Sequence, residues 1–129
     1  MYTGKPLPPM PEVLEQAGWA VGMVHTCEQS ALCFGSDRRE PVFARPVVEL
    51  CRDGPRAVVL PCTSKDRSNH PAFRELREPE EVMWVQPSDR RTFVFERYEV
   101  VDRSALRRKL GTMAHGSRIT LLEWVKERH

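Results

Sequence analysis

Two short apolar runs, at residues 46–51 and 57–62, form the clearest hydrophobic pattern in the chain. A turn-forming cluster that contains Gly54 and Pro55 separates them. Short runs that are rich in Val and Leu and bounded by Gly and Pro are typical of buried β-strands. The pattern therefore predicts two antiparallel strands that are joined in a hairpin.

The remaining apolar runs predict further strands, followed by helices near the C-terminus. The predicted strands cover residues 20–27, 46–52, 57–63, 82–86 and 92–101. An apolar stripe at helical spacing predicts one helix over residues 104–113, and a second is predicted over residues 118–127. Strands followed by helices indicate an α+β fold, with a small, strongly bent antiparallel sheet or barrel and C-terminal helices.

The first residues differ in composition from the rest of the chain. Residues 1–11 contain four prolines, which disfavour regular structure. Pro11 and Glu12 suit the start of a short helix, and Gly18 suits its end. We therefore expect an N-terminal Pro-rich arm with a short helix at residues 1–18, and a single domain at residues 19–129.

Composition and charge narrow the class of protein. The chain is 40% hydrophobic and 29% charged, with a net charge of +2, which is typical of a globular domain and too mild to indicate nucleic-acid binding alone. No apolar run approaches the roughly 20 residues of a membrane span, and the N-terminus lacks a signal-peptide layout, so we expect a cytoplasmic protein. The four cysteines lack metal-ligand spacing, so no metal or other cofactor is expected.

Polar side chains stand at one end of the predicted hairpin. Arg45 precedes the first strand, and Thr63 and Ser64 follow the second. In an antiparallel pair the start of one strand lies beside the end of the other, so we expect Arg45 and Thr63 to converge. A guanidinium beside a hydroxyl suits a phosphate oxygen. Ordinary turn chemistry is the alternative, because Arg before Pro and Thr-Ser after a strand are common.

This region resembles the PemK/MazF toxins, which are ribonucleases of bacterial toxin–antitoxin pairs. Arg45-Pro46, a hairpin and then Thr63-Ser64 are similar to the Arg-Pro and Thr-Ser pair of that family, and residues 93–111 are similar to its later strand, Asp and helix. The resemblance covers about residues 19–128. It implies an SH3-like barrel of the PemK/MazF/CcdB kind, a homodimer, and a cognate antitoxin protein as partner.

The chain departs from the family's motifs at several positions. Residues 41–44 replace the usual Gln-Gly-Gly segment, Met23 replaces an acidic residue, and Val94 stands where one member has arginine. These departures keep a second hypothesis open. The same barrel would then be a non-catalytic PemK/CcdB-like module that acts by docking a protein partner.

The resemblance implies metal-independent cleavage of single-stranded RNA, in which a ribose 2′-OH attacks the adjacent phosphate. Arg45 would hold the phosphate, and Thr63 would donate a hydrogen bond to it, with Ser64 in reserve. Glu40 or Glu96 would accept the 2′-OH proton. Because Arg45 precedes a strand, we expect it to lie outside the core, so that Arg45→Ala abolishes cleavage and leaves the fold intact.

Further side chains are expected to contact the RNA. His70 is a third candidate base, because its intrinsic pKa is suitable. Basic side chains would follow the RNA backbone, and aromatic rings would stack on its bases. The basic candidates for substrate binding are Arg39, Lys65, Arg67 and His70, and the aromatic candidates are Phe34, Phe43 and Phe73.

Overall fold

The computed structural model of the protein describes residues 22–36, 42–77, 81–86 and 91–128. The described residues form a strongly curled antiparallel sheet and one C-terminal α-helix. The strands are β1 (Met23–Glu28), β2 (Ala44–Asp53), β3 (Arg56–Thr63), β4 (Phe73–Leu76), β5 (Val82–Trp84), β6 (Thr92–Phe95), β7 (Glu99–Asp102) and β8 (Leu106–Met113), and the helix is α1 (His115–Glu127). Short 3-10 turns at Gln29–Ala31 and Arg103–Ala105 follow β1 and β7.

The sheet is continuous from one edge to the other. Its strand order is β4-β6-β3-β2-β1-β8-β5, and β7 also pairs with β3. Each pairing between the described strands is antiparallel. The register shifts twice between β1 and β8 and once between β2 and β3. Such irregularities bend strands and increase their twist, which explains how a small sheet curls strongly.

Side-chain alternation along the strands builds a core on each face of the sheet. Leu60 and Cys62 of β3 join a large cluster that α1 covers with Leu121 and Val125. Val59, which directly precedes Leu60 in β3, joins a smaller cluster on the opposite face. Burial of one such Val or Leu side chain contributes roughly 1.5–3 kcal/mol. Because both faces of β3 are covered, its sequence is a continuous apolar run.

The α+β prediction is confirmed for the described residues, together with the antiparallel sheet and most of its strands. β1, β2, β3, β5 and α1 lie where they were predicted. The strand predicted over residues 92–101 is divided by a bend into β6 and β7, and β4 was not predicted. None of the described helices is long and apolar enough to cross a membrane. The predicted arm and helix at residues 1–18 lie outside the described residues.

The helix predicted over residues 104–113 is wrong, because most of this segment is strand β8. Its apolar spacing also fits a strand that pairs with β1 on one side and with β5 on the other. Gly111 disfavours a helix by about 1 kcal/mol relative to Ala. In β8 it is required, because a Cβ atom on Gly111 would lie 2.8 Å from the carbonyl oxygen of Met83. Pairing with two neighbouring strands therefore outweighs the helical periodicity.

The core position of three cysteines predicts the order in which thiols are alkylated. Burial raises the pKa of the Cys27 and Cys62 thiols to about 12, and Cys51 is also buried, whereas Cys33 is partly exposed. Because the thiolate is the nucleophile, iodoacetamide at about pH 8 should modify Cys33 first and the other three only after unfolding. Peptide mass spectrometry measures the order. Fast labelling of Cys62 in the folded protein would contradict the position of β3.

Candidate functional site

The β2–β3 hairpin brings Arg45 and Thr63 to the same end of the sheet. Val47 pairs with Pro61, and the same register extended by two residues sets Arg45 opposite Thr63. Opposed residues on antiparallel strands project from the same face. The backbone is therefore consistent with the expected convergence of these two side chains.

Arg45 is buried inside the protein, with only 5% of its surface exposed. Its Nε donates a hydrogen bond to Gln29 Oε1 at 2.8 Å, and its Nη1 donates to the Cys62 carbonyl oxygen at 3.0 Å. Its guanidinium carbon lies 4.8 Å from the centroid of the Phe34 ring. The expectation that Arg45 lies outside the core is therefore wrong. Arg45→Ala would leave two buried acceptors without this donor, at about 1–3 kcal/mol for each unsatisfied group.

Gln29 and Glu99 fix the loop that covers Arg45. The Glu99 carboxylate is almost fully buried and accepts hydrogen bonds from the backbone N–H groups of Cys33 and Phe34, at 2.7 and 3.0 Å. Gln29 Nε2 donates to the Phe34 carbonyl oxygen at 2.6 Å. Gln29 therefore connects the guanidinium to the same loop that Glu99 holds. We call Arg45, Gln29, Phe34 and Glu99 the Arg45 network.

Three partly exposed phenylalanine rings lie at the edge of this network. The Phe34 centroid is 5.0 Å from that of Phe95 and 6.2 Å from that of Phe73, and the Phe73 and Phe95 centroids are 5.2 Å apart. We call these three rings the aromatic cluster. The Arg67 guanidinium carbon lies 5.6 Å from the Phe73 centroid, and the His70 ring meets Phe73 edge-on at 5.0 Å. Basic groups therefore flank the cluster.

Thr63 shares a face of the sheet with the aromatic cluster. In the register of β3 and β6, Thr63 pairs with Phe93. Phe95 lies two positions after Phe93 on the same strand, so Thr63 and Phe95 project from the same face of the sheet. Thr63 Oγ1 accepts a hydrogen bond from the Lys65 N–H at 3.2 Å, so its own hydroxyl hydrogen can be donated outward. His70 Nδ1 accepts from the Ala72 N–H at 3.2 Å, which places the hydrogen of the neutral ring on Nε2.

Glu96, one of the predicted bases, is not brought to this face. Val94, two positions before it, packs in the large cluster beneath α1. The Glu96 carboxylate lies 3.2 Å from the Nε atom of Arg128, which directly follows α1. Glu96 directly follows β6, and this ion pair holds its carboxylate beside the end of α1, on the helix side of the sheet.

The other predicted residues divide into exposed loop positions and positions outside the described residues. Ser64 and Lys65 are exposed at the start of the loop that follows β3. The candidate base Glu40 and the candidate RNA contact Arg39 both lie outside the described residues. Within the described ranges, no three His, Cys, Asp or Glu side chains are grouped closely enough to hold a metal ion.

Three residues of this site were not predicted from the sequence: Gln29, Glu99 and Phe95. A signal was present for the last two. Glu99 lies an even number of positions after Phe93 and Phe95. If strand alternation continues through this segment, the Glu99 carboxylate lies on the same side as those two rings. Gln29 carries no comparable signal, because its role depends on a contact with Arg45, which is 16 residues away.

Gly35 provides a test of how closely the loop packs on Arg45. Gly35 and Gly54 both have positive φ angles, of 78° and 58°, so alanine at either position should cost about 1–2 kcal/mol in backbone strain. A Cβ atom on Gly35 would also overlap the Arg45 guanidinium, whereas one on Gly54 would have no atom within 4 Å. Gly35→Ala should therefore lower the free energy of unfolding by at least about 1 kcal/mol more than Gly54→Ala. Urea titration measures both, and equal losses would contradict the contact.

Comparison of the chain with models of known protein families and with curated protein sequences finds no match. The residues and their geometry therefore carry the functional argument, and the resemblance to the PemK/MazF toxins stays a hypothesis.

Proposed function

We propose that this protein is a metal-independent endoribonuclease that binds single-stranded RNA on the face formed by the aromatic cluster and Thr63. The observation that carries the proposal is the group of three partly exposed rings flanked by Arg67 and His70, on the same face as a hydroxyl donor. Proteins bind single strands by stacking bases on aromatic rings and by following the backbone with cations. The chain offers both features within one surface.

The resemblance to the PemK/MazF toxins extends this proposal to a biological role. Under it, the protein is the toxin of a bacterial toxin–antitoxin pair, acts in the cytoplasm on messenger RNA and forms a homodimer. A cognate antitoxin protein would bind it and suppress cleavage. The SH3-like barrel of that family is compatible with the curled sheet and the C-terminal helix of the described residues.

The proposed reaction uses the RNA's own hydroxyl as nucleophile. The ribose 2′-oxygen forms a bond to the adjacent phosphorus, and the bond from phosphorus to the 5′-oxygen of the next nucleotide breaks. The 2′-OH proton passes to a base, and the leaving 5′-oxygen takes a proton from an acid. Thr63 donates its hydroxyl hydrogen to a non-bridging oxygen, where charge develops.

In this proposal the candidate proton carriers have separate roles, which their contacts support. His70 Nδ1 already accepts a hydrogen bond, so the Nε2–H group of the neutral ring serves as a hydrogen-bond donor toward the phosphate. Glu96 is paired with Arg128 on the helix side. Glu40, which stands five positions ahead of Arg45 as an acidic residue does in several PemK/MazF members, is the base for the 2′-OH in this proposal.

Arg45 acts in this proposal as a positioning residue. Its guanidinium holds Gln29 and lies against Phe34, so the ring nearest the loop depends on it. Because arginine keeps its charge at all relevant pH values, Arg45 also supplies a fixed positive charge beneath the aromatic cluster.

The Thr63 hydroxyl tests the catalytic half of the proposal. Thr63→Val keeps the branched shape and removes the donor. The rate of cleavage of a labelled single-stranded RNA should fall by about tenfold to a hundredfold, because a hydrogen bond to a charged group is worth about 1.5–3 kcal/mol. Thr63→Ser keeps the hydroxyl and should cut at close to the wild-type rate. Excess EDTA should change neither rate, since the 2′-OH mechanism uses no metal. Wild-type cleavage by Thr63→Val, or loss of all cleavage in EDTA, would overturn the proposed mechanism.

A second candidate function is a non-catalytic module that docks a protein partner. The observation that favours it is that two candidate side chains already have partners within the protein. Arg45 is buried against Gln29 and Cys62, and Glu96 is paired with Arg128. Two side chains that were expected to perform chemistry are thus engaged within the protein. Under this candidate the purified protein cuts no RNA, and the aromatic cluster does not bind it.

The aromatic cluster distinguishes the two candidates by binding alone. Phe73→Ala should weaken the affinity for a single-stranded 2′-O-methyl RNA, which cannot be cleaved by this mechanism, by about tenfold, because stacking of one base contributes about 1–3 kcal/mol. Ile119→Ala is the matched control, since Ile119 is a partly exposed apolar side chain of α1, which covers the opposite face of the sheet, and its affinity should be unchanged. Fluorescence anisotropy measures both. Equal affinities for the two variants, or no binding by the wild-type protein, would favour the docking module.

A further inference from the structure

A cavity lined by three arginines lies near the end of β2 opposite to Arg45. It has a volume of about 500 Å³, and Arg52, Arg103 and Arg107 contribute to its wall. Arg45 and Arg52 are seven positions apart on one extended strand, which corresponds to roughly 23 Å at about 3.3 Å per residue. The arginine cavity is therefore separate from the aromatic cluster, and the proposed RNA cleavage leaves it without a role.

Two of the three guanidiniums are held in place by carboxylates. Arg52 donates from Nε and Nη2 to the fully buried Glu49, at 2.7 and 3.1 Å. Arg107 donates from Nε and Nη2 to the Glu28 carboxylate. A guanidinium has five N–H groups, so each arginine keeps donors in a fixed orientation after these contacts. Such fixed donors lower the entropic cost of binding an anion.

The third guanidinium, that of Arg103, supplies positive charge to the wall of the cavity. Arg103 is exposed, and within the described part of the chain no Asp or Glu carboxylate forms an ion pair with it. Its Nη1 makes a long contact of 3.4 Å with the Gly54 carbonyl oxygen, and its backbone N–H donates to the Pro55 carbonyl oxygen at 2.8 Å. The turn that carries Arg103 is therefore fixed, while its guanidinium is available to a ligand.

The remaining wall of the cavity is not basic. Asp102 and Ser104 flank Arg103 in sequence and line the same space, where they offer a carboxylate and a hydroxyl. Leu106 and the ring of His25 add apolar and aromatic surface. Burial lowers the pKa of His25, so this ring is neutral near pH 7 and adds no further charge. These groups match a ligand that combines an anionic end with hydroxyl groups and a flat apolar part.

We propose that the arginine cavity binds a nucleoside monophosphate, with its phosphate held by Arg52, Arg103 and Arg107. Arginine forks match the geometry of phosphate oxygens. The ribose hydroxyls donate to Asp102, and the base packs on the surface around Leu106. The volume lies within the range of about 300–1,000 Å³ that is usual for sites of small ligands. The same chemistry is carried by a free nucleotide and by the phosphorylated 5′ end of an RNA.

Titration of the whole protein with adenosine 5′-monophosphate tests the proposal by isothermal calorimetry. Arg103→Gln should weaken binding about tenfold or more, since hydrogen bonds to charged groups are worth about 1.5–3 kcal/mol. Arg77→Gln is the control, because Arg77 is also exposed and does not line the cavity, and it should bind as the wild type does. Adenosine without phosphate and inorganic phosphate without nucleoside should each bind more weakly than the nucleotide.

Short RNAs separate the two sources of the phosphate. If an RNA with a 5′-phosphate displaces the nucleotide and the same RNA with a 5′-hydroxyl does not, the ligand is an RNA end. If neither RNA displaces the nucleotide, the ligand is the free nucleotide. Thr63→Val should bind the nucleotide normally, so failure of RNA cleavage leaves this test intact. The proposal is overturned if the nucleotide does not bind, if inorganic phosphate binds equally well, or if Arg103→Gln and Arg77→Gln have the same affinity.

Discussion

The burial of the Arg45 guanidinium is the constraint on which the candidate site depends. A charge removed from water must be matched by hydrogen bonds, because an unmatched one costs far more than the fold can supply. Gln29, the Cys62 carbonyl oxygen and the Phe34 ring provide that environment. These contacts join the 3-10 turn after β1 to the end of β3. The shape of the site therefore follows from how one side chain is satisfied.

The same constraint explains why a polar network borders a surface of phenylalanine rings. Glu99 and Gln29 hold the backbone on both sides of Phe34, so the ring has a fixed position at the edge of the aromatic cluster. Rings that are held in advance bind a base without a further cost of ordering. Arg67 and His70 then lie against Phe73 and keep basic groups at the rim. The site combines a fixed stacking surface with basic groups at its rim, an arrangement that is suited to a single strand.

Much of the sheet could be predicted from local sequence because its strands carry their own signal. The hairpin of β2 and β3 is marked by two apolar runs and by Gly54, whose positive φ angle the turn requires. Strand β8 could not be predicted in this way. The apolar spacing around Leu106 and Leu110 fits a helix as well as a strand, and the choice depends on β1 and β5.

Less of the candidate site than of the sheet could be predicted from the sequence. The convergence of Arg45 and Thr63 follows from antiparallel register alone, and the observed pairing is consistent with it. The burial of Arg45 does not follow from local sequence, because it depends on Gln29, which is 16 residues away. The Glu99 contact with Cys33 spans 66 residues. Local patterns indicate which residues lie at a strand end, and long-range contacts decide whether their side chains reach solvent.

We propose that one face of the sheet, which carries the aromatic cluster and Thr63, binds single-stranded RNA. The most direct measurement is an NMR titration of the ¹⁵N-labelled protein with a single-stranded RNA in which every 2′-OH is methylated. RNA binding on this face should shift the amide signals of Phe34, Thr63, Phe73 and Phe95 and leave the signal of Leu121, on α1, unchanged. Shifts confined to α1, or no shifts at saturating RNA, would contradict it.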